Sequence, residues 1–68
     1  MKATTCKYYR LYLGFTQEEL AIEVGLKQTT ISRWEKGKQK MGIKSEEIIR
    51  SLVREKREKL QDLELTSE

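Results

Sequence analysis

Apolar side chains recur along this chain at helical spacing, in short blocks separated by polar residues and single glycines. Cys6, Tyr9, Arg10 and Leu13 stand at i, i+3, i+4 and i+7, which predicts a helix from about residue 3 to residue 13 with Gly14 as its stop. Thr16-x-x-Glu19 then forms a capping box, the threonine hydroxyl accepting from the Glu19 N–H while the glutamate reaches back to the Thr16 N–H. The second helix it opens turns Leu20, Ala21 and Val24 inward, with Glu18, Glu19 and Glu23 near its positive end or in solvent. Gly25 ends that helix, because a second helix following within a few residues at a steep angle needs one residue at positive φ. Leu26, Ile31 and Trp34 complete the inward set, and Ala21 is the small residue that lets the two helices approach.

After Gly42 the punctuation disappears: residues 43–68 hold no glycine and no proline. Ser45 reads as an N-cap with Glu46 and Glu47 in the first turn, and Ile48, Ile49, Leu52 and Val53 follow at helical spacing, with Ile43 as an extra anchor. The pairs Glu46/Arg50, Arg54/Glu58 and Glu55/Lys59 lie at i, i+4, each supporting the helix by roughly 0.2–0.5 kcal/mol. One long helix from near Ser45 to about residue 62 is therefore expected. Its later apolar residues, Leu60, Leu63 and Leu65, are set apart by Lys56 and Lys59, so residues 56–68 read either as a dimerisation or partner helix or as a solvated tail. The expected fold is all-α: a compact bundle of four or five helices, with residues 1–55 as one domain and 56–68 as its helical extension or tail.

Composition narrows the function. A core drawn from 68 residues supplies only about 3–5 kcal/mol, so stability is marginal. One cysteine forms no internal disulfide, and the absence of histidine argues against a zinc or catalytic metal site and gives no reason to expect a cofactor. With Cys6 on the inner stripe there is no nucleophile with a base beside it, so an enzyme is not expected. No apolar run approaches the roughly 20 residues of a membrane span, and the start of the chain lacks the apolar block of a secretion signal. A soluble cytoplasmic protein is expected, with no membrane partner and no evident small-molecule ligand.

Charge is uneven. Residues 1–42 carry eight basic and four acidic side chains, whereas residues 43–68 carry six and seven. The excess is densest from Lys27 to Lys40, where Lys27, Arg33, Lys36, Lys38 and Lys40 face Glu35 alone, the footprint that phosphate backbones attract. Removing the inward positions of the third helix leaves Gln28, Thr29, Ser32, Arg33 and Lys36 outside. Glutamine pairs with adenine N6 and N7, arginine with guanine O6 and N7, and a threonine methyl meets the thymine methyl. No carboxylate interrupts that face, which is either a solvated polar surface or one that reads DNA.

These residues resemble the helix-turn-helix regulators of the phage repressor and Cro type, the lambda-repressor-like or XRE-like family. The likeness runs over residues 6–37 through Arg10-x-x-x-Gly14-Phe15-Thr16-Gln17-Glu18-Glu19-Leu20-Ala21, Val24-Gly25-Leu26 and Gln28-x-x-Ile31-Ser32-Arg33-Trp34-Glu35-x-Gly37. The resemblance implies that the third helix enters the major groove of double-stranded DNA with Gln28, Thr29, Ser32 and Arg33 facing the bases. It implies a backbone anchor at Gln17, and a partly buried salt bridge between Arg10 and Glu35, which accounts for an arginine on the inner stripe.

The chain departs from the family at Lys27, where a Ser or Thr cap is usual; the loss is worth roughly 1 kcal/mol, and Lys27 is instead available to a phosphate. It also has no proline after Gly37, although Lys38 and Lys40, with Lys36, still suit a loop clamping the backbone. The largest departure is the unbroken stretch after residue 43, where the family usually has two short helices. The expected function is a transcriptional regulator, a repressor of phage, plasmid or bacterial-operon type, binding a palindromic operator as a homodimer so that two recognition helices fill grooves about 34 Å apart. The alternative is an antitoxin or co-regulator module that works mainly through its last helix.

Overall fold

The computed structural model describes residues 1–66 and contains α1 (Ala3–Leu13), α2 (Gln17–Val24), α3 (Gln28–Glu35) and α4 (Ile43–Thr66). Among the described residues there is no strand, and no helix is long and apolar enough to cross a membrane. α2 packs on α3, α1 packs on α3 and α4, and α4 also contacts α2. The core where they meet consists of Cys6, Leu20, Ala21, Ile31, Trp34 and Ile49, and Val53 is buried further along α4. Tyr9, Phe15, Val24 and Met41 pack around it.

Local chemistry sets the boundaries. Thr16 and Glu19 close both bonds of the capping box, at 3.1 Å from the Glu19 N–H and 2.9 Å from the Thr16 N–H. The first three helices end alike: a glycine follows, and its N–H and that of the next residue turn back onto carbonyls of the last turn, as Gly25 to Ile22 and Leu26 to Ala21. Gly25 sits at φ 71°, a conformation that costs a residue with a Cβ about 1–2 kcal/mol. Ala21 is 3% exposed, consistent with close approach of α2 and α3 at a small side chain.

Three positions differ from the sequence reading. α4 starts at Ile43, not Ser45: the Gly42 carbonyl accepts from the Glu46 N–H at 3.1 Å, placing Ser45 inside the first turn. Ile43 is 76% exposed and anchors nothing, because six residues at about 100° each place it some 120° around the helix from Ile49. Leu26, in the turn between α2 and α3, is 43% exposed, so it does not complete the buried set. At its other end α4 passes residue 62 and reaches Thr66 without a break at residues 55 and 56. The side chain of Leu65 lies outside the described residues.

Of the three expected i, i+4 pairs, Glu46 and Arg50 close, at 2.9 and 3.1 Å. Sequence spacing did not reveal the role of Lys56. Its ammonium donates to the carbonyl of Tyr12 and lies 4.9 Å from the centre of that tyrosine ring. The last turn of a helix leaves carbonyls without partners, and Lys56 satisfies one of them while fixing α4 to α1.

Candidate nucleic-acid interface

α3 divides by burial into two faces. Ile31 and Trp34 are buried, Gln28, Thr29 and Arg33 are exposed, and Ser32 is half-buried beside Thr30. The four base-reading candidates thus lie on one short helix, with Ser32 nearest the protein. Trp34 carries the one cost of this packing: its indole N–H has no partner within the described residues.

The start of α3 is open. Lys27 adopts an extended N-cap conformation but makes no side-chain cap bond. The N–H groups of Gln28 and Thr29 therefore have no partner among the described residues. Two free amides at the positive end of a helix suit an anion, and the exposed Lys27 adds a full charge beside them. Beyond the helix, Gly37 at φ 72° turns the chain, and the Lys38 N–H returns to the Arg33 carbonyl at 2.9 Å. Lys36, Lys38 and Lys40 all stand exposed.

The frame beneath this surface is a polar network. Arg10 donates through Nε to Glu35 Oε2 at 2.6 Å, through Nη2 to Oε1 at 3.2 Å, and through Nη1 to the Phe15 carbonyl at 2.8 Å. Gln17 Nε2 adds a further bond to Glu35 Oε1 at 3.2 Å. Arg10 and Glu35 together thus join α1, the link to α2, the start of α2 and the end of α3. The two charged side chains are only 11% and 6% exposed, and the hydrogen bonds to Glu35 hold the Arg10 proton more tightly than usual. Burial pushes the nearby Cys6 thiol up to about 11, with the Glu35 charge acting in the same direction.

The pair also shapes the outer field. Glu35 is the sole carboxylate between Lys27 and Lys40, and it is turned inward and neutralised by Arg10. The five cations of that segment are left facing solvent without an opposing charge of their own. The family resemblance pointed to Arg10 and Glu35 but not to the bond from Gln17. That side chain is half-buried, and one of its amide N–H groups is committed to the frame, leaving the other and the carbonyl oxygen.

A protein-family model described as Helix-turn-helix matches residues 7–50, more than half of the chain. No curated protein and no solved structure matches it. The matched span begins within α1, covers the whole α2–turn–α3 unit and its Arg10–Glu35 frame, and ends in the first turns of α4. With a capping box at the start of α2, a left-handed glycine turn and a polar outward face on α3, the chain belongs to the helix-turn-helix family of the Cro and phage-repressor type, a family of DNA-binding regulators.

Proposed function

We propose that this chain is a sequence-specific regulator of transcription, a cytoplasmic repressor that binds a palindromic operator as a homodimer. α3 enters the major groove; Gln28, Thr29, Ser32 and Arg33 meet base edges. Lys27, Lys36, Lys38 and Lys40 meet phosphates, joined by the second amide N–H of Gln17 at the start of α2. Residues 1–55 form the DNA-binding unit and residues 56–68 its extension. The observation that carries the reading is the withdrawal of Glu35 into the Arg10 bond, which leaves an outward surface of donors and cations across α3 and the following loop.

Selection from randomised duplex DNA, followed by sequencing, tests it. A two-fold symmetric motif with half-sites about one helical turn apart is the expected result. Titration of the selected duplex against salt should give a log K slope of about −0.9 per phosphate contacted. Recovery of no motif, together with a flat salt response, would instead assign the chain to protein–protein interaction.

A further inference from the structure

α4 changes charge along its length. Residues 44–57 carry five basic and three acidic side chains, whereas Glu58 to Thr66 carry Glu58, Asp62 and Glu64 against Lys59. In the basic part, Arg50, Arg54 and Arg57 follow one another at i, i+4 and i+7 on one face. Arg54 and Arg57, with Tyr8, Tyr9 and Tyr12 of α1, line two adjoining grooves of about 190 and 180 Å³ where α1 meets α4. No acidic side chain lines either groove. Arg50 is paired with Glu46, but neither Arg54 nor Arg57 has a carboxylate partner among the described residues.

This seam is separate from the α3 surface. α1 meets α3 through Arg10 and meets α4 through the Tyr12 carbonyl, and no residue of α2, α3 or the loop after it lines either groove. A duplex held by α3 does not account for it. The acidic turns lie past Lys56, where α4 bonds to α1; a helix of 24 residues spans about 36 Å in a molecule 46 Å long and 19 Å across. Leu60, in those turns, is 44% exposed. Within one helix only Glu58, four residues from Arg54, stands in reach of an arginine of the seam, and it closes no bond there among the described residues; a single copy cannot bring the turn of Asp62 back to its own arginines. A second copy running antiparallel can, and two-fold symmetry then forms the same junction twice.

We propose that two copies of this chain associate by antiparallel exchange, the acidic last turns of each α4 lying in the partner copy's seam of Arg54, Arg57 and tyrosines. Arginine forks bind carboxylates in paired hydrogen bonds, and the tyrosines supply apolar area beside them. The inference rests on the homodimer reading above but not on base reading by α3.

Charge exchange tests it. One variant carries Arg54→Glu and Arg57→Glu; the other carries Glu58→Lys and Asp62→Lys. Sedimentation equilibrium at low salt should show the native chain in a monomer–dimer equilibrium, each variant alone weakened by about tenfold or more, and an equimolar mixture recovering a one-to-one dimer. The mixture recovers because both of its junctions are again complementary, and circular dichroism confirms that each variant remains helical. A native chain that stays monomeric, variants that dimerise like it, or a mixture that stays monomeric would each overturn the proposal. So would an unchanged dimer combined with a shallower DNA salt slope in the arginine variant, which would give the seam to phosphates. Affinity for a single half-site, measured on the same proteins, separates the two readings: it requires only α3, and its absence in the native chain counts against DNA reading alone.

Discussion

Replacing Arg10 by methionine tests the frame beneath the interface. The change keeps most of the side-chain volume but leaves Glu35, 6% exposed, without its cation. Breaking a buried pair from one side costs about 3–5 kcal/mol, and the surviving Gln17 bond at 3.2 Å places the loss near the lower end, about 3 kcal/mol. A domain of this size has only about that much to lose, so Arg10→Met should be close to half unfolded at 25 °C without denaturant. Adding Glu35→Leu removes the stranded charge. What then lacks a partner is one Gln17 N–H and the Phe15 carbonyl, both on half-buried residues that water can reach, so the double variant should regain about 2 kcal/mol. Urea titrations of the native chain, both single variants and the double variant, followed by far-ultraviolet circular dichroism, give the coupling energy directly. If Arg10→Met lies within about 0.5 kcal/mol of the native chain, or the double variant is no more stable than Arg10→Met, the pair does not hold the helices as argued.

Arg33→Ala should cost about 1–3 kcal/mol of operator affinity and relax preference at one base pair, read by fluorescence anisotropy over single-base operator variants; equal loss on all of them would remove its base-reading role. Lys38→Ala should weaken every duplex alike and make the salt slope shallower by about 0.9, and an unchanged slope would remove the phosphate contact. Gly25→Ala should destabilise by about 1–2 kcal/mol through backbone conformation alone, since a Cβ there meets no atom within 4 Å; a loss well above this in urea melts would mean that space, not φ, is limiting. For Cys6, raised to about 11 in the fold, the unfolded chain releases its proton first. Stability should therefore be flat in this respect below about pH 9 and fall by about 2 kcal/mol as pH approaches 11. Cys6→Ala should lack that component, and identical pH slopes for the two proteins would refute the assignment.

The legible parts of the fold are those decided within one or two helical turns. Thr16 and Glu19 meet because they are three residues apart at a helix start, whatever the rest of the chain does. Gly14 and Gly25 stop helices for an equally local reason, and the lack of glycine or proline after Gly42 leaves nothing to interrupt α4. The misread positions share the opposite property. Ser45 is a good cap by type, yet Gly42 offers its carbonyl earlier and the helix begins there. Leu26 and Ile43 are apolar, but their burial depends on whether another element covers them, and none does so fully.

The interface divides in the same way. From the sequence alone came the division of α3 into inward and outward positions, since a period of 3.6 residues makes Ile31 and Trp34 one face and Gln28, Thr29 and Arg33 another. The pairing of Arg10 with Glu35, 25 positions apart, came from resemblance and not from spacing. Only the tertiary structure decided that Gln17 joins that pair, that Lys56 closes the end of α1, and that Arg54 and Arg57 face three tyrosines. Those relations link residues that share no helix, and their distances follow from how the helices cross, which is the sum of all the packing and is not recorded at any one position.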